Sequence, residues 1–266
     1  MRITEIHVFY LRLPNIEERT DSSQDALLIR IDTDAGISGW GEVDSCPAVI
    51  RAIVDAPISH TIVTGLRRIL IGEDPLDITR LWHKMHQSTL YYGREGAVIQ
   101  AMAGIDLALW DIKGKAFQQP VWKLLGGRFR DKLRTYSSNM FQFTVEDTVA
   151  RLKKAKDEGF TAAKFGWEPF GRDARTDCAY LEGLRKAAGD DFDIMLDVGL
   201  VWDARTTIQR AKLFEPYNLF WIEEPVPPSD YRGYGRISAA ITQRLAGGEE
   251  ESTLAGFVRL IDEGGI

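Results

Sequence analysis

Apolar and polar side chains alternate along the N-terminal stretch of the chain. Residues 1–14, 25–34 and 37–43 keep the two-residue period that turns one side chain inward and the next outward, as strands do. The runs ALLIRIDT and ISGWGEV flank Asp34-Ala35-Gly36, a short turn signal, so a three-stranded antiparallel meander is expected. The polar segment NIEERTDSSQ (15–24) reads as the loop between the first two strands. The period then lengthens to that of a helix. Asp74-Pro75 opens one helix to about Ser88, with Ile78, Leu81 and Met85 at core spacing. A longer helix over 95–117 lines up Met102, Ile105, Leu109 and Ile112 in one apolar stripe. Gly126-Gly127 punctuates the chain, and the boundary between a 1–127 α+β domain and a 128–266 domain is expected there.

Beyond residue 132 the texture changes. Apolar strand cores at 133–138, 161–165, 193–197, 218–223 and 244–248 alternate with helical stretches such as VEDTVARLKKAKDEG and DARTTIQRAKLFEPY. About five β/α units with a parallel sheet follow from that alternation. An open doubly wound sheet and part of a closed barrel both satisfy it. No G-x-G-x-x-G opens the first unit, which argues against a dinucleotide site.

Composition narrows the function classes. With 266 residues the chain can bury a sizeable core, and 44% apolar with 27% charged residues is ordinary for a globular protein. The net charge of −6 gives no electrostatic case for nucleic acid or an anionic membrane as partner. No long uncharged apolar run suggests a membrane span. MRITEIHVFYLRL, with Arg2 and Glu5, fits a first strand better than a secretory signal. Cys46 and Cys178 lie far apart and outside any metal-type cluster, so a reduced, cytoplasmic protein is expected.

The candidate chemistry lies where acids meet strand ends. Asp197 ends IMLD, Glu223 ends LFWIE and Glu249 ends RLAGGE, with successive acids 26 residues apart. Each therefore falls at the C-terminal end of a successive strand, the edge where parallel α/β folds bind ligands. Three carboxylates converging there repel one another unless a cation lies between them, and oxygen-only ligation suits Mg2+. Solvated loop charges or helix-cap neighbours are the competing reading, and the adjoining Glu224, Glu250 and Glu251 leave the register open. Lys164 lies at the end of the second strand, in TAAKF, where it serves as a base or electrostatic stabiliser, or else reaches solvent as a rim lysine. Gly166, on the same side of that strand, leaves room beside it. His83 and His86 share a helical face, but no cysteine or further histidine completes a metal site, so they read as surface or packing residues. Residues 128–266 contain no histidine to act as a base.

Several segments together carry a family likeness: AGIDLALWDIKGKAFQQPVWKLLGG (103–127), the third-strand Asp197, WIEEP (221–225) and AGGE (246–249). The chain resembles the mandelate racemase and muconate lactonizing enzyme group of the enolase superfamily over essentially its whole length. The resemblance implies an α+β capping domain followed by an α/β (TIM-type) barrel. It also implies Mg2+ held by acids on strands three, four and five, matching Asp197, Glu223 and Glu249. The implied chemistry is abstraction of a proton α to a carboxylate, with the metal stabilising an enediolate. Where such proteins carry Lys-x-Lys on the second strand, this one reads Lys164-Phe165-Gly166, so Lys164 matches the first lysine and glycine replaces the second. The chain ends at LIDEGGI, where similar proteins run into a sixth strand, so the barrel is expected to be incomplete and the main base to lie beyond Ile266.

A single-sided base suits dehydration of an acid sugar, whereas racemisation needs groups on both faces of the α-carbon. Expected, then, are a hydro-lyase acting on a small carboxylate, with Lys164 as the catalytic group present, and a homo-oligomer in its complete form. A racemase or epimerase is the alternative, as is a truncated fragment without turnover.

Overall fold

The computed structural model describes residues 1–17 and 23–266, so the central part of the expected 15–24 loop lies outside the described residues. The chain forms two compact units, residues 1–131 and 132–266.

In the first unit, β1 (Ile3–Arg12), β2 (Asp25–Thr33) and β3 (Ser38–Val43) pair antiparallel in chain order. The alternation seen in the sequence sets the faces: Leu27, Ile29 and Ile31 are buried, while Arg30 and Asp32 turn the other way and bond to each other. Between the sheet and the later helices lies α1 (Pro47–Asp55). Pro47 opens this helix, whose Ile50, Ile53 and Val54 are buried. α2 (Leu66–Leu70) and α3 (Ile78–Thr89) follow. α3 starts three residues after Pro75, because the Asp74 carboxylate accepts a bond from the Leu76 N–H and makes a turn of that stretch. His83 is exposed and His86 half-buried, both off the buried stripe of Ile78, Leu81 and Met85. α4 (Ala97–Phe117) buries Met102, Ile105, Leu109 and Ile112, and α5 (Val121–Leu124) closes the unit. α4 lies so close to β3 that a Cβ on Gly41 would come within 1.9 Å of the Gly104 carbonyl oxygen, so glycine is what permits the contact.

In the second unit, strands and helices alternate: β4 (Ser137–Met140), α6 (Val145–Asp157), β5 (Ala162–Gly166), α7 (Ala174–Ala188), β6 (Asp193–Asp197), α8 (Ala204–Phe214), β7 (Leu219–Glu223), α9 (Tyr231–Ser238), β8 (Arg244–Ala246) and α10 (Leu254–Asp262). The five strands are parallel and lie in chain order, β4-β5-β6-β7-β8. A doubly wound sheet reverses its strand order at a switch point; this one never does, which selects the barrel-type arrangement. Phe165, Leu196 and Ile222 point from the sheet into a core shared with Leu152, Leu181, Leu184 and Phe214. Each of the five helices opens on a side-chain cap: Thr144, Asp173, Asp203, Asp230 and Thr253 accept the backbone N–H three residues on. Such caps typically contribute about 1 kcal/mol each.

Two strand boundaries differ from those expected. β4 begins at Ser137 rather than near residue 133, and Leu133 is exposed. β8 stops at Ala246, because Gly247 and Gly248 turn the chain away, Gly248 with a left-handed φ of 107°. Among the described residues no helix is long and apolar enough to cross a membrane.

Candidate active site

The C-terminal ends of β5, β6 and β7 carry the polar side chains. In register, Gly166 lies opposite Asp197 and Asp197 opposite Glu223, so the two acids stand at one level on adjacent strands. Lys164, two residues before Gly166, shares its side of the sheet. Its ammonium donates to the Asp197 carboxylate at 3.0 Å and also to that of Glu223. The three side chains are only 13%, 9% and 12% exposed. Glu223 accepts a further bond, 2.9 Å, from the indole N–H of Trp221, and Asp197 one of 3.2 Å from the Gly199 N–H.

The electrostatics are those of crowded negative charge. Burial pulls the Lys164 ammonium toward deprotonation, but its bonds to Glu223 and Asp197 outweigh this and raise its pKa above the ordinary lysine value. Burial raises the Glu223 pKa, with Asp197 adding to the shift and Lys164 opposing it. Glu249 is also raised, by partial desolvation first and then by the charges of Asp197 and Glu224.

Glu249 is not on a strand. It lies in the loop three residues past β8, exposed, and near enough to Asp197 and Glu223 to feel their charge. Among the described residues no three His, Cys, Asp or Glu side chains are gathered closely enough to hold a metal ion. The structure thus brings Asp197, Glu223 and Lys164 together and leaves Glu249 at the rim. The donor set nevertheless fits a hard divalent cation: it is all carboxylate oxygen, and two buried acids face a single ammonium.

Glu224, the neighbour that left the register open, points elsewhere. It is 2% exposed, and its carboxylate accepts from the Tyr234 hydroxyl at 2.8 Å and from the Gly248 N–H at 2.6 Å. Its carboxylate raises the Tyr234 pKa, in addition to the larger effect of burial. Nothing in the sequence around Tyr234 marked it, since an aromatic at helical spacing reads as core. Gly166 also differs from expectation. A Cβ there would stand 2.8 Å from the Asp197 Cβ, so the space beside Lys164 on that side is already filled.

The backbone is strained at the same edge. Trp167, Leu200 and Glu224, following β5, β6 and β7, adopt left-handed φ values of 67°, 66° and 43°. Non-glycine residues adopt this conformation uncommonly, and such residues cluster at functional sites.

An unreversed parallel sheet with acids and a lysine at its C-terminal edge is the architecture of a barrel enzyme. Comparison with known proteins agrees. The family described as "Mandelate racemase / muconate lactonizing enzyme, N-terminal domain" matches residues 6–126, and "Enolase C-terminal domain-like" matches residues 147–266. The chain is 31% identical to the 3,6-anhydro-alpha-L-galactonate cycloisomerase of Streptomyces coelicolor, over 99% of its own length and 73% of the relative's. It is 36% identical to the D-galactonate dehydratase of Klebsiella pneumoniae, over 90% of its own length and 62% of the relative's. The crystal structure of a racemase from Streptomyces coelicolor with bound magnesium superposes with a TM-score of 0.87 at 30% identity, covering 99% of this chain and 74% of that one. The chain belongs to the enolase superfamily, in its mandelate racemase and muconate lactonizing enzyme group.

Proposed function

We propose that the protein performs Mg2+-dependent abstraction of the proton α to a carboxylate, and that the reaction is dehydration of an acid sugar. The observation that carries this reading is the pair of buried acids, Asp197 and Glu223, aligned at the ends of adjacent parallel strands with Lys164 between them. Asp197, Glu223 and Glu249 would hold the metal. When bound, Mg2+ supplies the positive charge that stabilises the enediolate formed as the α-proton leaves.

The chain's own residues account for the rest. Lys164 lies where a substrate carbon beside the carboxylates comes within reach. As the ammonium held by Asp197 and Glu223 it would neutralise the substrate carboxylate, and only with those acids engaged by the cation instead would it give up its proton and take the α-proton. The Trp221 indole holds one Glu223 oxygen, which fixes the orientation of that carboxylate. On this side Lys164 has no second lysine to work with, and packing against Asp197 closes that position. One base on one face suits elimination of a β-hydroxyl, and one of the relatives is a galactonate dehydratase. Isomerisation within the superfamily, as a racemase, epimerase or cycloisomerase, is the second reading, favoured by the cycloisomerase relative.

The proposal includes a small carboxylate as substrate, a homo-oligomeric state and a cytoplasmic location, the last supported by two free cysteines. Incubation with aldonic acids and Mg2+ in D2O separates the readings by NMR. Dehydration yields a 2-keto-3-deoxy acid; racemisation or epimerisation yields deuterium at the α-carbon with the hydroxyls kept. Neither product from any aldonate, in a chain shown to bind Mg2+, would refute the substrate assignment.

A further inference from the structure

The loop carrying Glu249 is held by a buried carboxylate, that of Glu224. Glu224 is 2% exposed, and among the described residues no lysine, arginine or histidine forms an ion pair with it. A buried carboxylate without a counter-ion is costly and persists only where several donors satisfy it. Those donors are the Tyr234 hydroxyl at 2.8 Å, the Gly248 N–H at 2.6 Å and the Glu249 N–H at 3.4 Å. Two of the three belong to the loop after β8. The carboxylate therefore grips that loop at its turn and ties it to Tyr234 of α9.

The backbone is shaped for the same contact. Glu224 takes a left-handed φ of 43°, and Gly248 takes a φ of 107°. Packing is close at the turn: a Cβ on Gly247 would come within 3.0 Å of the Tyr234 hydroxyl and 3.3 Å of a Glu224 oxygen. The Glu224 N–H also bonds to the Ala246 carbonyl at 3.0 Å, so main chain and side chain of one residue fix both ends of the segment 246–248.

We propose that Glu224 and Tyr234 are positioning residues that set the place of Glu249, the one acid of the three that no strand holds. The inference rests on the reading of Glu249 as a magnesium ligand. Glu224 is not itself a ligand; it acts through the loop. Partners of this kind, one step removed from a metal, typically change affinity by about 10–100-fold when removed.

The test is calorimetric titration of the full chain with Mg2+, comparing wild type, Tyr234→Phe, Glu224→Ala, Glu224→Gln, Glu249→Ala and the Tyr234→Phe/Glu249→Ala double variant. Tyr234→Phe should weaken Mg2+ binding about tenfold, and Glu224→Gln should retain more affinity than Glu224→Ala. Because the pair acts through Glu249, the double variant should bind no more weakly than Glu249→Ala alone. If Glu224→Ala does not fold, Tyr234→Phe still decides, since it removes one oxygen and no volume of consequence. Wild-type affinity in Tyr234→Phe, or losses that add in the double variant, would overturn the positioning role alone. A wild-type chain that binds no Mg2+ overturns the metal reading beneath it as well.

Discussion

Replacing Lys164 by Met separates the energetic role of the ion cluster from its chemistry. The ammonium bridges Asp197 and Glu223, and all three side chains are nearly enclosed. Removing one partner of a buried pair costs about 3–5 kcal/mol, because the remaining charge is stranded. Here the lower end applies, since Glu223, its pKa already raised, can take up a proton and escape part of the penalty. For the unit spanning residues 132–266, an unfolding entropy of about 2.1 cal/mol/K per residue makes a loss of about 3 kcal/mol equal to a fall of about 10 °C in Tm. Mg2+ should return most of this, because a dication can occupy the stranded carboxylates; at one hundred times Kd the stabilisation is about 2.7 kcal/mol. The metal-induced shift should be larger in Lys164→Met than in wild type, where the ammonium competes for the same oxygens. Differential scanning calorimetry with EDTA and with saturating Mg2+ measures both quantities. An unchanged Tm in EDTA would show that the cluster carries no energy. Equal Mg2+ shifts in both proteins would place the metal away from Asp197 and Glu223. In any turnover assay Lys164→Met should lose rate without losing Mg2+ affinity, as expected of a residue that competes with the metal and does not ligate it.

Three further outcomes follow from the same geometry. Glu223 and Glu249 have folded-state pKa values above the ordinary glutamate value, so their contribution to metal-free stability is full below that value and is lost as pH rises through the raised ones. Mg2+ needs them ionised, so its affinity should climb through the same window and then level off, with proton release measurable by calorimetry in two buffers. Gly166→Ala puts a methyl 2.8 Å from the Asp197 Cβ; a loss of about 1–3 kcal/mol in urea unfolding and weaker Mg2+ binding are expected, and full tolerance would show that the strand ends yield easily. Arg210→Met leaves the fully buried Asp177 without the guanidinium 3.1 Å away, at a cost of about 3–5 kcal/mol near neutral pH. Burial already raises the Asp177 pKa, so that loss should shrink in acid as the carboxyl protonates, and a loss independent of pH would contradict the ion-pair account.

Much of the fold was legible because period carries it. The alternation in ALLIRIDT reappears as buried Leu27, Ile29 and Ile31, and the stripe of Met102, Ile105, Leu109 and Ile112 is buried on one helix. The helix at Pro47–Asp55 was not legible, since its apolar triplet is short and the proline at its head looks like a breaker until it is placed at the first helical position. The boundaries of β4 and β8 were misplaced because apolar content extends beyond hydrogen bonding: Leu133 belongs to an apolar run yet is exposed. Equal spacing located three acids but could not tell which of them a strand would carry.

That last difference has a physical cause. Asp197 and Glu223 end strands that run in register with their neighbours, so pairing alone delivers their side chains to one level on one face. β8 pairs with β7 only as far as Ala246, opposite Glu223, and the chain has three more residues to travel before Glu249. Over those residues no ladder fixes direction, and two glycines leave the backbone free. A third acid at that edge therefore needs a separate constraint, which the buried carboxylate of Glu224 supplies through the Gly248 amide. Sequence spacing treats the three acids as equivalent because each follows an apolar run. The fold makes two of them consequences of sheet register and the third a consequence of a buried hydrogen-bond network. For that reason Glu249 should be the acid whose contribution varies most with changes outside the strands.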